Sequence, residues 1–156
     1  MKKTLLLIAL TLLSITVNAD TIRFKDWMTI NSSAFSDNIY FSNGSSFQVY
    51  ISDGGNIVWF TIMYQDYQPA TEQTRYSPPT GVNVTVNGQQ LYAQSVISNN
   101  SARFFKISTH EGRQYVINQL KIKPYIRFSD DEGWSVDVSA AGANKAISLA
   151  IKKRPL

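Results

Sequence analysis

The chain has 156 residues, no cysteine, a single histidine, and 15 Lys and Arg against 11 Asp and Glu, for a net charge of +4. That length suits one domain with a sizeable core; the missing thiols exclude disulfides and thiolate zinc sites, and one histidine excludes a multi-histidine metal cluster. The basic excess is too small and too dispersed for a nucleic-acid face, which gathers strong positive charge on one side.

Lys2 and Lys3 precede an almost unbroken apolar run from Leu5 to Ile15, and Val17-Asn18-Ala19 presents small or modest residues of the kind a signal peptidase reads. This pattern predicts an export signal over residues 1–19 of the short bacterial kind, cleaved near Ala19, and a periplasmic or secreted product comprising a single strand-rich domain over 20–156. The run is shorter than the roughly 20 apolar residues of a bilayer span, and no second long apolar segment follows, so no transmembrane anchor is expected in the mature chain. Without the first two lysines the balance is 13 basic to 11 acidic residues. Phe, Tyr and Trp number 8, 8 and 3, enough large rings to hold a core by burial without covalent staples.

Along the mature chain the dominant period is two. Phe47, Val49 and Ile51 alternate with Gln48, Tyr50 and Ser52, the pattern of a strand with one buried face. Asp53-Gly54-Gly55-Asn56 reads as a hairpin turn into Ile57–Tyr64, which is apolar on both faces and predicts a central strand covered on both sides. The stretch Gln65–Thr80 lacks periodicity, contains Pro69, Pro78 and Pro79, and is long for a structureless connection, a feature that accompanies function or mobility. Val82, Val84 and Val86 alternate with polar residues before Asn87-Gly88, the strongest short hairpin signal, with Gln89–Gln94 as the return strand. A further strand is expected around Ala102–Ser108.

Gly112–Leu120 reads as helix or strand; Val116 and Leu120 four apart and Thr109 as a cap favour a short helix, which Pro124 keeps from extending. Tyr125–Phe128 and Trp134–Ser139 read as a hairpin joined by an acidic turn, with Trp134, Val136 and Val138 facing inward. Ala143, Ala146, Ile147, Ala150 and Ile151 fall on one helical stripe. The summed fold is mainly β: an antiparallel β-sandwich or a strongly bent sheet, with a short C-terminal α-helix on one face or closing one end.

No catalytic set emerges. His110 lies in a polar, turn-like setting without a nucleophile signature, and an exposed turn residue is the plainer reading. Asp130-Asp131-Glu132 lacks the alternating spacing of a calcium loop and reads as a solvated turn. No phosphate-cradling glycine loop is present, and no metal or cofactor is expected. Tyr64, Tyr67 and Tyr76 bracket the long connection and are the candidate partner-binding residues, because exposed tyrosines favour protein or carbohydrate contacts.

Phe24-Lys25-Asp26-Trp27 resembles the aromatic-x-x-Trp opening of the invasion-associated locus B family. Gly81-Val-Asn-Val-Thr-Val-Asn-Gly88 resembles that family's middle strand and turn. Tyr115–Leu120, the hairpin after it, and Trp134-Ser-Val-Asp-Val-Ser-Ala-Ala-Gly-Ala-Asn-Lys-Ala146 are similar to its short helix, two strands and closing helix of small residues. Accessory periplasmic proteins of type VI secretion show a similar order, and the match is best over residues 82–151. The resemblance implies a non-enzymatic, β-rich envelope protein linked to host interaction or a secretion apparatus, and transfers no chemical role to any residue.

The expected function is therefore an exported, non-enzymatic envelope binding or accessory protein acting through contact with another envelope or secreted protein. An inhibitor or immunity protein of an envelope hydrolase, with Gln65–Thr80 inserted into its target, is the second expectation. A hydrolase using carboxylates alone is the third.

Overall fold

Hydrophobic alternation builds this molecule as one antiparallel sheet, seen in a computed structural model that describes residues 21–152. The export signal expected over 1–19 lies outside the described residues. The strands run β1 Thr21–Phe24, β2 Trp27–Ile30, β3 Ser33–Ser36, β4 Ile39–Tyr40, β5 Ser46–Ser52 and β6 Ile57–Met63. They continue as β7 Thr80–Val86, β8 Gln89–Ser98, β9 Ala102–Ile107, β10 Tyr125–Asp130 and β11 Ser135–Ser139. Helix α1, His110–Ile122, separates β9 from β10, and helix α2, Ala143–Lys152, follows β11.

Among the described residues the sheet has 11 strands in the order β1-β2-β3-β5-β6-β9-β8-β7-β10-β11, with β4 pairing β5 off that path. Of the two architectures the alternation allows, the continuous bent sheet is the one observed. Phe128 on β10 shows how sharply it bends. In strand order β10 stands five places from β5, a flat-sheet distance of roughly 24 Å at the usual inter-strand spacing. Yet the Phe128 ring lies 5.0 Å from Phe47 of β5, 4.7 Å from Phe60 of β6 and 5.5 Å from Phe105 of β9. The sheet has folded over so that its inner face meets itself, and these four buried rings form the centre of the core.

Two far parts of the strand order also meet. Trp27 of β2, fully buried, donates from Nε1 to the Ser139 carbonyl of β11 at 2.8 Å, and Ser139 Oγ bonds Asp26 Oδ2 at 2.5 Å. These side chains and one backbone bond, from the Asp26 amide to the Ala141 carbonyl, close the seam without a strand ladder between β2 and β11.

Both helices form, though Ile151, expected on the apolar stripe of α2, is exposed. The side chain of Thr109 accepts from the Gly112 amide at 3.0 Å and starts α1, which runs two residues beyond the expected core at each end. Val116, Ile117 and Leu120 are its buried stripe. In α2 the stripe is Ala143, Ala146, Ile147 and Ala150, packed on the inner side of β2 and β3, where Thr29 Oγ1 donates to the Ala146 carbonyl at 3.2 Å. Small side chains let the helix approach the sheet closely.

Two expectations need correction. Strand β6 is central, but only Val58, Phe60 and Ile62 are buried; Ile57, Trp59, Thr61 and Met63 are half-buried, because among the described residues no second layer packs on the outer face. The acidic segment is not simply a solvated turn, since the Asp130 side chain has no exposed surface and lies against Arg103. Four strands also precede β5, in a stretch not assigned from the sequence alone.

Candidate functional site: an aromatic cleft on the outer face

Strand register lays a row of large side chains across the uncovered side of the sheet. Met28 pairs with Phe35, Phe35 with Tyr50, and Tyr50 with Trp59, so one residue from each of β2, β3, β5 and β6 stands side by side. One step along, Gln48, Thr61 and Phe104 form a second row across β5, β6 and β9. Cross-strand neighbours on one face touch when large. Phe35 and Tyr50 have ring centroids 4.8 Å apart, and Trp59 meets Phe104 edge-on at 5.4 Å.

Between the rows lies a cleft of about 300 Å³, walled by Phe35, Tyr50, Trp59, Met63 and Phe104, with Gln48 and Thr61 as polar points and Tyr67 at one side. No charged residue lines it. The rings tilt at different angles instead of presenting a flat platform. Such a cleft accepts the edge of an apolar or aromatic side chain between its walls.

The segment 64–79 supplies the rim and is held in place by backbone bonds. Near its start the Gln68 amide donates to the Asn100 carbonyl at 3.1 Å, and Asn100 Nδ2 donates back to the Gln68 carbonyl at 2.8 Å. Near its end the Arg75 amide donates to Asn99 Oδ1 at 2.8 Å, the Ser77 amide to the Ile97 carbonyl at 2.8 Å, and Tyr76 bridges to Ser98. The turn between β8 and β9 therefore serves as the anchor for both ends of this long connection.

The three candidate tyrosines separate. Tyr67 lines the cleft, and Tyr76, 56% exposed, sits at its margin with its ring 6.2 Å from Phe104. Tyr64 is on the other side of the sheet, packed against the core with its ring 6.3 Å from Trp134. Burial pushes the Tyr64 hydroxyl above its ordinary pKa, Arg103 opposes that rise, and Glu132 and Asp130 add to it.

Phe35, Tyr50, Trp59 and Phe104 were not singled out beforehand. Their signal is present in the alternation: each falls on the phase opposite to buried neighbours such as Ala34, Val49, Val58 and Phe105. Large rings gathered on the phase assigned to water leave an apolar patch there. Trp59 carries a further mark, because its Nε1 is shielded from solvent and has no acceptor among the described residues. A buried donor without a partner costs about 1–3 kcal/mol.

Comparison with protein-family models, with curated proteins and with solved structures finds no match to this chain.

Proposed function

We propose that this chain is an exported, non-enzymatic envelope protein that works by contact with another protein, and that the outer-face aromatic cleft is its contact surface. The observation that carries the proposal is the set of Phe35, Tyr50, Trp59 and Phe104 on a sheet face that, among the described residues, no second layer covers. Interfaces draw their energy from aromatic anchors seated in small desolvated pockets. An apolar side chain of the partner fills the cleft between these rings. The amino-terminal pattern of residues 1–19 supports export, and the resemblance of residues 82–151 to envelope proteins of the invasion-associated locus B kind supports the accessory role.

The test is capture from an envelope extract by the purified protein, by a Trp59→Ala, Tyr67→Ala double variant, and by Tyr125→Ala as an exposed control away from the cleft. Loss of the same partner from the double variant alone supports the proposal. Equal capture by all three removes the cleft from consideration.

A second reading, inhibition of an envelope hydrolase, is favoured by the exposed tip of the connection. The Thr71 amide donates to Thr74 Oγ1 at 2.9 Å, the Thr74 amide to the Thr71 carbonyl at 3.0 Å, and Arg75 Nη1 to the Glu72 carbonyl at 2.8 Å. A loop already held in its bound shape loses little freedom on binding. In this reading substitutions at 72–74 abolish inhibition while cleft substitutions leave it intact.

A further inference from the structure

A separate cavity of about 360 Å³ opens where the end of α1, the start of α2 and the β1–β2 turn converge. Lys25, Lys121, Lys123 and Lys145 surround it, and its apolar wall includes Phe24 and Leu120. The described residues contain six lysines, so four of them gather here. No acidic residue lines the cavity, and among the described residues none of these lysines has a carboxylate within 4.0 Å. By contrast Arg23, Arg103 and Arg127 each sit against one.

The arrangement is built by the backbone, not by chance approach of long side chains. Gly142 packs so tightly on β1 that a Cβ there would stand 1.7 Å from the Phe24 carbonyl oxygen. The Asp26 amide donates to the Ala141 carbonyl at 3.2 Å. These contacts hold Lys25 beside the first turn of α2, which carries Lys145 and no acid. Pro124 ends the extension of α1 just past Lys123. Four ammonium groups around one cavity repel each other unless an anion lies between them. Lysine recognises phosphate as a point charge, without the planar fork that arginine offers to carboxylates.

We propose that this cavity binds the phosphate group of an amphiphile, with the lysines on the phosphate oxygens and Phe24 against the apolar part. That phosphate can belong to a membrane lipid headgroup or to a soluble ester, and the two sources give different results. The purified protein is mixed with vesicles of phosphatidylglycerol, with vesicles of phosphatidylcholine, and, separately, with inorganic phosphate against sodium chloride of equal ionic strength. Sedimentation reads vesicle binding and the melting temperature reads the soluble ligand.

Binding to phosphatidylglycerol alone, weakened roughly 30-fold by Lys121→Gln with Lys145→Gln and unchanged by Lys106→Gln, supports the site with a lipid source. A melting temperature raised by phosphate and not by chloride, lost in the same double variant, supports it with a soluble source. Circular dichroism of the double variant separates lost binding from lost folding, and Lys25→Gln with Lys123→Gln repeats the test from the other side of the cavity. Vesicle binding that falls equally for Lys106→Gln, or no response to either ligand, overturns the proposal. The aromatic cleft shares no residue with this cavity, so either result leaves the contact function to its own test.

Discussion

Arg103 and Asp130 face each other inside the fold of the sheet, Nη1 to Oδ2 at 3.7 Å, with side chains 6% and 0% exposed. Their strands are not hydrogen-bonded neighbours; β8 and β7 lie between β9 and β10. The bend that brings the Phe128 ring against Phe105 brings this charged pair together at the same time. The guanidinium also lies 4.6 Å over the Phe105 ring, donates from Nε to Ser95 Oγ at 2.9 Å, and pairs with Glu132. Asp130 uses its other oxygen to accept the Glu132 and Trp134 amides at 3.0 and 2.8 Å. One carboxylate thus shapes the β10–β11 turn and neutralises a buried cation.

Breaking such a pair from one side leaves the other charge buried and unpaired, which costs about 3–5 kcal/mol. Arg103→Met is expected to lower stability by that amount. Adding Asp130→Asn, which keeps an acceptor for the turn amides and removes the stranded charge, restores part of the loss. Urea unfolding of the wild type, both single variants and the double variant measures the coupling. Costs that add to within about 0.5 kcal/mol show that the two groups do not depend on each other.

Tyr64 sits beside this pair, and its raised pKa has a consequence at high pH. The ordinary value is 10.0 and burial is the largest cause of the rise. Between the unfolded and folded pKa the native state holds the proton while the unfolded state releases it, so stability falls as pH rises. The contribution is complete below pH 10 and disappears as pH passes the folded value. Tyr64→Phe keeps the ring against Trp134 and removes the titrating hydroxyl. Unfolding free energies from pH 9 to about pH 11.5 are expected to decline less steeply in this variant than in the wild type. Parallel declines in the two proteins contradict the assignment.

Strand alternation was readable wherever the apolar phase faced inward, as in Phe47-Val49-Ile51 and Val84-Val86. In β2 and β3 it misleads. Trp27 and Ala34 are buried, but so are Thr29 and Ser36, while Met28, Ile30 and Phe35 take the outer face. The two connecting turns also lack glycine: Lys25 and Asn31 adopt positive φ of 54° where a glycine would have announced a hairpin. For the sites the obstacle is different. Asp130 reads as a turn acid because nothing local says that the sheet bends Arg103 toward it. Lys25 and Lys145 are brought together only by the return of α2 to β1, a long-range contact that no local spacing encodes. Of the tyrosines around the long connection, Tyr67 lines the cleft and Tyr76 lies near Phe104, but the walls belong to strands far apart in the chain.

That return of α2 to β1 can be tested through two glycines with similar backbones and different surroundings. Gly88 has φ +82° and nothing within 4 Å of where a Cβ would stand; Gly142 has φ +92° and the Phe24 carbonyl oxygen at 1.7 Å. A left-handed conformation costs an L-residue about 1–2 kcal/mol. Gly88→Ala is therefore expected to cost about that much and no more, since its Cβ projects into open space. Gly142→Ala carries the same conformational cost and, in addition, forces a methyl into a backbone oxygen that cannot rotate away. The chain must separate β1 from α2, and a loss above about 3 kcal/mol is expected. Thermal or urea unfolding of the two variants compares them directly. If both lose the same stability, Phe24 does not lie against the start of α2 in solution, and the four lysines lose the contact that gathers them.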